Sequence, residues 1–116
     1  MNDAITRIKG ERFDIEVNHS TLPVVVDFYG DGCPPCEVMS PLLEEFASEY
    51  KGRIRFVKLN LDDEDEYSKG LVTRFALMSV PTILLFKRGV IADRVVGVAP
   101  KAVLRQKMES LSNSQV

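Results

Sequence analysis

Cysteine and histidine are scarce in this chain, with two of the first and one of the second among 116 residues. Three such side chains fall short of a closed four-ligand zinc site, so a metal would need oligomerisation or outside ligands. Neither sign of charge is in excess. Fifteen Lys and Arg against 17 Asp and Glu leave a net charge of −2, and 45% of the residues are hydrophobic, which points to neither disorder nor a polyelectrolyte partner. Nucleic acid is therefore not an expected ligand. No apolar run approaches the roughly 18 residues a membrane helix needs. Met1 to Arg7 lack the charged-then-apolar organisation of a secretory signal, so the cytoplasm is the expected compartment and no membrane is expected. No repeat, linker or low-complexity segment divides the chain. One domain over residues 1–116 is expected, large enough to bury a core without staples, with residues 112–116 as a frayed tail.

The two cysteines are close together, as Cys33-Pro34-Pro35-Cys36, directly after the apolar run Val24 to Tyr29 and before a helical pattern. A strand ending in a short turn would leave Cys33 at an exposed helix start, where unpaired backbone N–H groups and the helix dipole favour a thiolate. Cys36 would lie one turn deeper, within disulfide reach. In a reducing compartment a lone close pair is rarely a structural staple, which shifts weight toward catalysis, redox sensing or metal binding.

The remaining pattern alternates strands and helices. Ile5 to Ile8 reads as an edge strand, and Glu11 to Asn18 as a helix with Phe13 and Val17 on one stripe. Val24 to Tyr29 is β-branched and aromatic, as a central strand covered on both faces would be. From Pro35 to about Tyr50, Val38, Met39, Leu42, Leu43, Phe46 and Ala47 repeat with helical spacing, and Pro41 predicts a kink. Ile54 to Leu59 is the next strand. The acids Asp62 to Glu66 precede Tyr67, Leu71 and Phe75 at spacings of four, as carboxylates capping and occupying the first turn of a helix would. A calcium loop is not indicated, because no glycine punctuates the acids. Thr82 to Lys87 and Val90 to Val96 flank Arg88-Gly89 as an antiparallel hairpin. Pro100 opens a last helix carrying Val103, Leu104, Met108 and Leu111. The order βαβαβαββα predicts an α/β fold, with a mixed five-stranded central sheet flanked by helices.

Val26-Asp27-Phe28, the Cys-X-X-Cys, Pro41, Lys58-Leu59-Asn60, Val80-Pro81-Thr82, Leu85-Phe86-Lys87 and Val96-Gly97 fall in an order that resembles the thioredoxin family over nearly the whole chain. There are three departures. Gly32 stands where the family usually has tryptophan, Pro34-Pro35 where it has glycine-proline, and Glu37 where it has a basic residue. The acidic segment after Asn60 is also a few residues longer.

The resemblance implies a thioredoxin fold and a thiol-disulfide oxidoreductase that reduces protein disulfides without a cofactor. Cys33 is the expected nucleophile and Cys36 the resolving thiol. A cysteine with pKa near 8.5 is only about 3% ionised at neutral pH. Lowering that value to about 7 gains only about threefold in attack, since nucleophilicity falls as well. Holding Cys36 beside the mixed disulfide supplies the larger advantage. The family pattern places Asp27 beneath the pair as the base for Cys36, its pKa raised by burial, with Lys58 modulating it from the neighbouring strand. It also implies a cis Pro81 that lets the backbone of Val80 run along a bound peptide, with Gly97 flanking the same groove. A turn glycine, a strand-entry proline, a surface lysine and a solvated strand aspartate are the bland alternatives for Gly97, Pro81, Lys58 and Asp27.

Neither Pro34 nor Pro35 has an N–H, so Cys33 would be served mainly by the amide of Cys36 and those beyond, while Glu37 adds negative charge. Both predict a less acidic Cys33 than in a glycine-proline relative. His19 reads as a solvated turn residue, and Tyr29 as packing near the active-site turn. Expected partners are disulfide-containing client proteins and an electron donor resembling thioredoxin reductase, with the chain itself a monomer. The competing functions are a disulfide oxidase or isomerase, and a binding module whose cysteines sit idle.

Overall fold

The computed structural model describes residues 4–63 and 65–113. Five strands form one sheet in the order β1-β3-β2-β4-β5. They are β1 (Ile5–Arg7), β2 (Val24–Tyr29), β3 (Arg55–Asn60), β4 (Thr82–Lys87) and β5 (Val90–Val96). β1, β3 and β2 are parallel, whereas β4 pairs antiparallel with both β2 and β5, so the sheet is mixed. The helices are α1 (Pro34–Glu49), α2 (Glu66–Arg74) and α3 (Lys101–Asn113).

β2 sits between β3 and β4 and is buried on both faces, as its apolar sequence, interrupted only by Asp27, leads one to expect. Its side chains alternate between two cores. Val25 joins Met39, Leu43, Phe46, Tyr50, Leu104 and Met108 under α1 and α3. Val24, Val26 and Phe28 join Phe13, Val17, Leu71, Phe75 and Phe86 on the other side. Asp27, two residues after Val25, therefore points to the face that α1 covers.

One expected helix is not a regular α-helix. Residues 10–18 form a 3-10 turn at Gly10–Arg12 and a π-helical turn at Asp14–Asn18, closed by the His19 amide donating to the Asp14 carbonyl at 3.1 Å. The segment holds Asp14, Ile15, Val17 and Asn18, all weak helix formers. Its shape follows tertiary anchors: Phe13 and Val17 are each only 1% exposed, while Ile15 faces solvent. Glu16 pairs with Arg55 of β3, and Arg12 bonds Glu16 at 2.9 Å.

The acidic segment also divides. Asp65 caps α2, accepting from the Ser68 amide at 2.8 Å and from its hydroxyl at 3.0 Å, and Glu66 occupies the first turn. Asp62 accepts instead from the Asp31 amide at 2.6 Å, and Asp63 faces Arg7 at 3.7 Å. Glu64 lies outside the described residues.

Three residues expected on apolar stripes, Val38, Tyr67 and Val103, are exposed, because each core takes only the innermost positions of its helix. α1 starts one residue earlier than expected, with both prolines inside, and runs on through Pro41. α3 extends through Ser112 and Asn113, while residues 114–116 of the expected frayed tail lie outside the described residues, as do residues 1–3. The β4–β5 hairpin turns on Arg88 and Gly89 with φ of 52° and 76°, the positive pair that a two-residue connection favours.

Candidate active site

The C-terminal end of β2 and the first turn of α1 bring the cysteines together. Gly32, at φ 56°, turns the chain in the left-handed region that suits glycine, and Cys33 follows as the N-cap of α1. Pro34 and Pro35 occupy the first two helical positions, where a missing N–H costs least. Cys33 and Cys36 are joined in a disulfide with their Cα atoms 5.2 Å apart. The Cys36 amide donates to Cys33 Sγ at 3.2 Å, and the Glu37 amide donates to the Cys33 carbonyl at 3.1 Å. The first donor available to the sulfur is thus the Cys36 amide, as the double proline predicts.

The exposed helix start expected for Cys33 is largely covered. Cys33 is 9% exposed and Cys36 7%, so the two sulfurs are almost equally deep in this oxidised form. The cover comes partly from the loop before β4, which sets the Val80 carbonyl oxygen 3.8 Å from Cys33 Sγ. The Val80–Pro81 bond is cis. Gly97, at φ 79°, donates its amide to the Pro81 carbonyl at 2.9 Å, which brings the end of β5 to the same place.

Behind the disulfide is a cavity of about 270 Å³, reached by Asp27, Lys58, Cys36, Glu37, Ser40 and Tyr29. Asp27 is 8% exposed, and its Oδ1 has no hydrogen-bond partner among the described residues. Burial drives its pKa from 3.8 to about 6, and the Lys58 ammonium, from the directly adjacent position of β3, holds it below what burial alone would produce. Lys58 Nζ also stands 5.9 Å from the centre of the Tyr29 ring, whose hydroxyl is pushed upward in pKa, first by burial.

Every site residue expected from the sequence therefore lies on one of two sides of the disulfide. Asp27, Lys58 and Glu37 are behind or beside it, and Val80, Pro81 and Gly97 stand across from it. Sequence reasoning missed Asp31, Asp62 and Ser40. Asp31 Oδ1 accepts from Asn60 Nδ2 at 2.9 Å, and Asp62 Oδ2 would lie 3.2 Å from a Cβ at Gly30, so these acids shape the turn before Cys33. Ser40 could have been found as the position one turn after Cys36 on the same helix face. A larger surface groove, about 1000 Å³, lies beside His19, Glu16 and Arg55, away from both cysteines. His19 is exposed there. No cluster of His, Cys, Asp or Glu suited to a metal occurs among the described residues.

The sequence matches the thioredoxin family over residues 4–110. The chain belongs to the thioredoxin family. It is 36% identical over 106 residues to Thioredoxin 1 of Nostoc sp., covering 91% of this chain and 95% of that protein. It is 37% identical over 110 residues to the thioredoxin of Acidithiobacillus ferridurans, covering 95% and 98%. It is also 39% identical over 102 residues to the chloroplastic M-type thioredoxin of Pisum sativum, covering 88% of this chain and 57% of that longer protein. A thioredoxin-family chain with a redox-active cysteine pair is a thiol-disulfide oxidoreductase, and this one acts as a protein-disulfide reductase. Its fold is the thioredoxin fold. Disulfide-containing proteins are its substrates, and a reductase partner returns the electrons, as in the family generally. Among the described residues no helix is long and apolar enough to cross a membrane.

Proposed function

We propose that Cys33 is the attacking thiol, Cys36 the resolving thiol and Asp27 the proton acceptor. The Cys33 thiolate attacks one sulfur of a client disulfide, forming a mixed disulfide and releasing the other client sulfur as a thiolate. Cys36 passes its proton to Asp27 and attacks Cys33 Sγ, which frees the second client thiolate and leaves the Cys33–Cys36 disulfide. Two electrons have then moved to the client. A reductase with a dithiol or equivalent donor restores the pair.

The observation that carries the assignment of Asp27 is its buried carboxylate, with an unpartnered oxygen and a pKa near 6, in the same cavity as Cys36. Such a carboxylate accepts a proton near neutral pH, whereas one at 3.8 would be a much weaker base. The client strand is assigned to the edge formed by Val80, Pro81 and Gly97, where backbone groups of an extended peptide can pair beside Cys33. Pro34, Pro35, Glu37 and Lys58 tune the pair by limiting donors to Cys33 and by placing charge around it. The chain works as a monomer, because a client must reach this edge, and in the cytoplasm, where a reduced pair persists.

The test is a Cys36→Ser variant incubated with a disulfide-bonded protein. It should accumulate a mixed disulfide through Cys33 that dithiothreitol releases, and Cys33→Ser should form none. Full turnover by either variant would remove both assignments. A client retained equally well by the doubly substituted protein, with no reduction by wild type, would favour an idle-cysteine binding module.

A further inference from the structure

Met78 stands apart from the other described methionines. Met39 and Met108 are 0% exposed under α1 and α3, whereas Met78 is 91% exposed. The chain on either side of it is anchored. The Leu77 amide donates to the Val72 carbonyl at 3.0 Å and the Leu77 side chain is buried, while the Ser79 carbonyl accepts from the Thr82 hydroxyl at 2.7 Å. Met78 is thus an apolar side chain presented to water between two fixed residues.

Its place gives that exposure a consequence. Val80 is two positions further along the chain, so the two Cα atoms are at most about 7 Å apart, and the Val80 carbonyl is 3.8 Å from Cys33 Sγ. Val96, 56% exposed, is paired with Thr82 at the near end of β5, and Val98, 54% exposed, follows Gly97. Met78, Val96 and Val98 are exposed apolar side chains on the two segments that carry Val80 and Gly97, and we read them as one apolar lip on the side where the client is assigned. A protein large enough to deliver its disulfide to Cys33 there covers part of that lip, and a small disulfide does not.

We propose that Met78 is a site of oxidative modification by hydroperoxides, and that its oxidation weakens docking of protein clients without touching the thiol chemistry. The inference rests on the client edge assigned above. In the reaction the thioether sulfur attacks the terminal peroxide oxygen and the O–O bond breaks. The sulfur is oxidised by two electrons to the sulfoxide, and hydrogen peroxide is reduced to water. The product carries a strong hydrogen-bond acceptor where an apolar group stood, so covering it now requires its desolvation. Because the cysteines are closed as a disulfide in the oxidised form, they are protected while Met78 remains open.

The experiment treats the full-length disulfide form with hydrogen peroxide, maps the added oxygen by peptide mass, then recharges the pair with dithiothreitol and assays two substrates. Met78 should take up one oxygen before Met39 or Met108 does. KM for a disulfide-bonded protein should rise roughly threefold to tenfold, as expected for losing a partly covered methionine side chain, and the rate on a small aromatic disulfide should be unchanged. In Met78→Leu, whatever its starting KM, peroxide should leave the treated-to-untreated ratio near one. Oxidation of Met39 or Met108 as fast as Met78, an unchanged client KM after complete Met78 oxidation, or an equal loss in Met78→Leu would overturn the proposal. Equal loss on both substrates would do the same. If Cys36→Ser instead traps clients but Val80 or Gly97 substitutions leave client KM untouched, the assigned edge is wrong and the docking consequence falls with it, while the oxygen map still reads the modification.

Discussion

Asp27 and Lys58 are direct neighbours in the parallel register of β2 and β3, yet they act in opposite directions on one proton. Burial favours the neutral carboxylic acid, the ammonium favours the carboxylate, and burial wins, leaving a pKa of about 6. An unfolded aspartate releases its proton near 3.8, so between these values the native state holds more protons than the unfolded chain. Stability therefore falls as pH rises through that window and is flat above it. A shift from 3.8 to about 6 corresponds to about 3 kcal/mol of strain at neutral pH. Urea unfolding of the oxidised form should find Asp27→Asn more stable than wild type at pH 8 by as much as about 3 kcal/mol, with the gain vanishing toward pH 3. Lys58→Met should raise the Asp27 pKa further and lower stability at pH 8. A gain for Asp27→Asn that is the same at pH 3 and pH 8 would contradict the buried-acid account.

The double proline makes a separate prediction about Cys33. With the Cys36 amide as the first available donor to Cys33 Sγ, replacing Pro34 by glycine adds a backbone N–H at the helix start. The thiolate should then form at lower pH. Alkylation rate against pH reads this directly. An unchanged or higher midpoint in Pro34→Gly would refute it, and Glu37→Gln should move the midpoint in the same direction as Pro34→Gly by removing a negative charge.

Gly10 is a packing glycine. A Cβ there would lie 2.8 Å from the Ser68 amide nitrogen and 2.9 Å from Tyr67 Cβ, at the start of α2, and backbone cannot yield as a flexible side-chain tip does. Gly10→Ala should cost about 1–3 kcal/mol in denaturant unfolding while leaving Cys33 alkylation unaffected. A neutral substitution would show that the 3-10 turn at Gly10–Arg12 and α2 separate freely.

Phe13 holds the irregular segment to the sheet. Its ring centre is 5.4 Å from Phe75, 5.7 Å from Phe86 and 6.3 Å from Phe28, and the residue is 1% exposed. Phe13→Ala should lose about 3–5 kcal/mol. Phe13→Leu should lose less, about 1.5 kcal/mol or under, if filling the space matters more than the ring contacts. Thermal or urea unfolding distinguishes them, and equal losses would shift the weight to the aromatic contacts.

Where a local rule and a tertiary demand agreed, the elements were legible in the residues. Val24 to Tyr29 is a strand by side-chain shape and also the central strand by burial. Arg88-Gly89 is a hairpin turn by backbone preference, and it keeps that form with Asn18 close beside Gly89. Residues 10–18 show the opposite case. The four-residue spacing of Phe13 and Val17 marks one buried stripe, but the backbone between them is a π-helical turn, with Glu16 paired to Arg55 of β3. The acids after Asn60 share one pattern in the sequence but not one role. Asp65 caps α2 and Glu66 fills its first turn, whereas Asp62 is drawn to the amide of Asp31, 31 positions away in the chain.

By itself the sequence determined the reactive chemistry: two sulfurs three residues apart, prolines between them that remove donors, and an aspartate in an apolar strand. These are properties of residue type and short spacing, and they survive any packing that keeps the helix start. Folding decided which groups meet those sulfurs. The Val80 carbonyl comes within reach of Cys33 across 47 positions, Lys58 is set beside Asp27 by strand register, and Met78 is left in water while Met39 and Met108 are enclosed. Such proximities depend on how the sheet is ordered and covered, which no local pattern encodes.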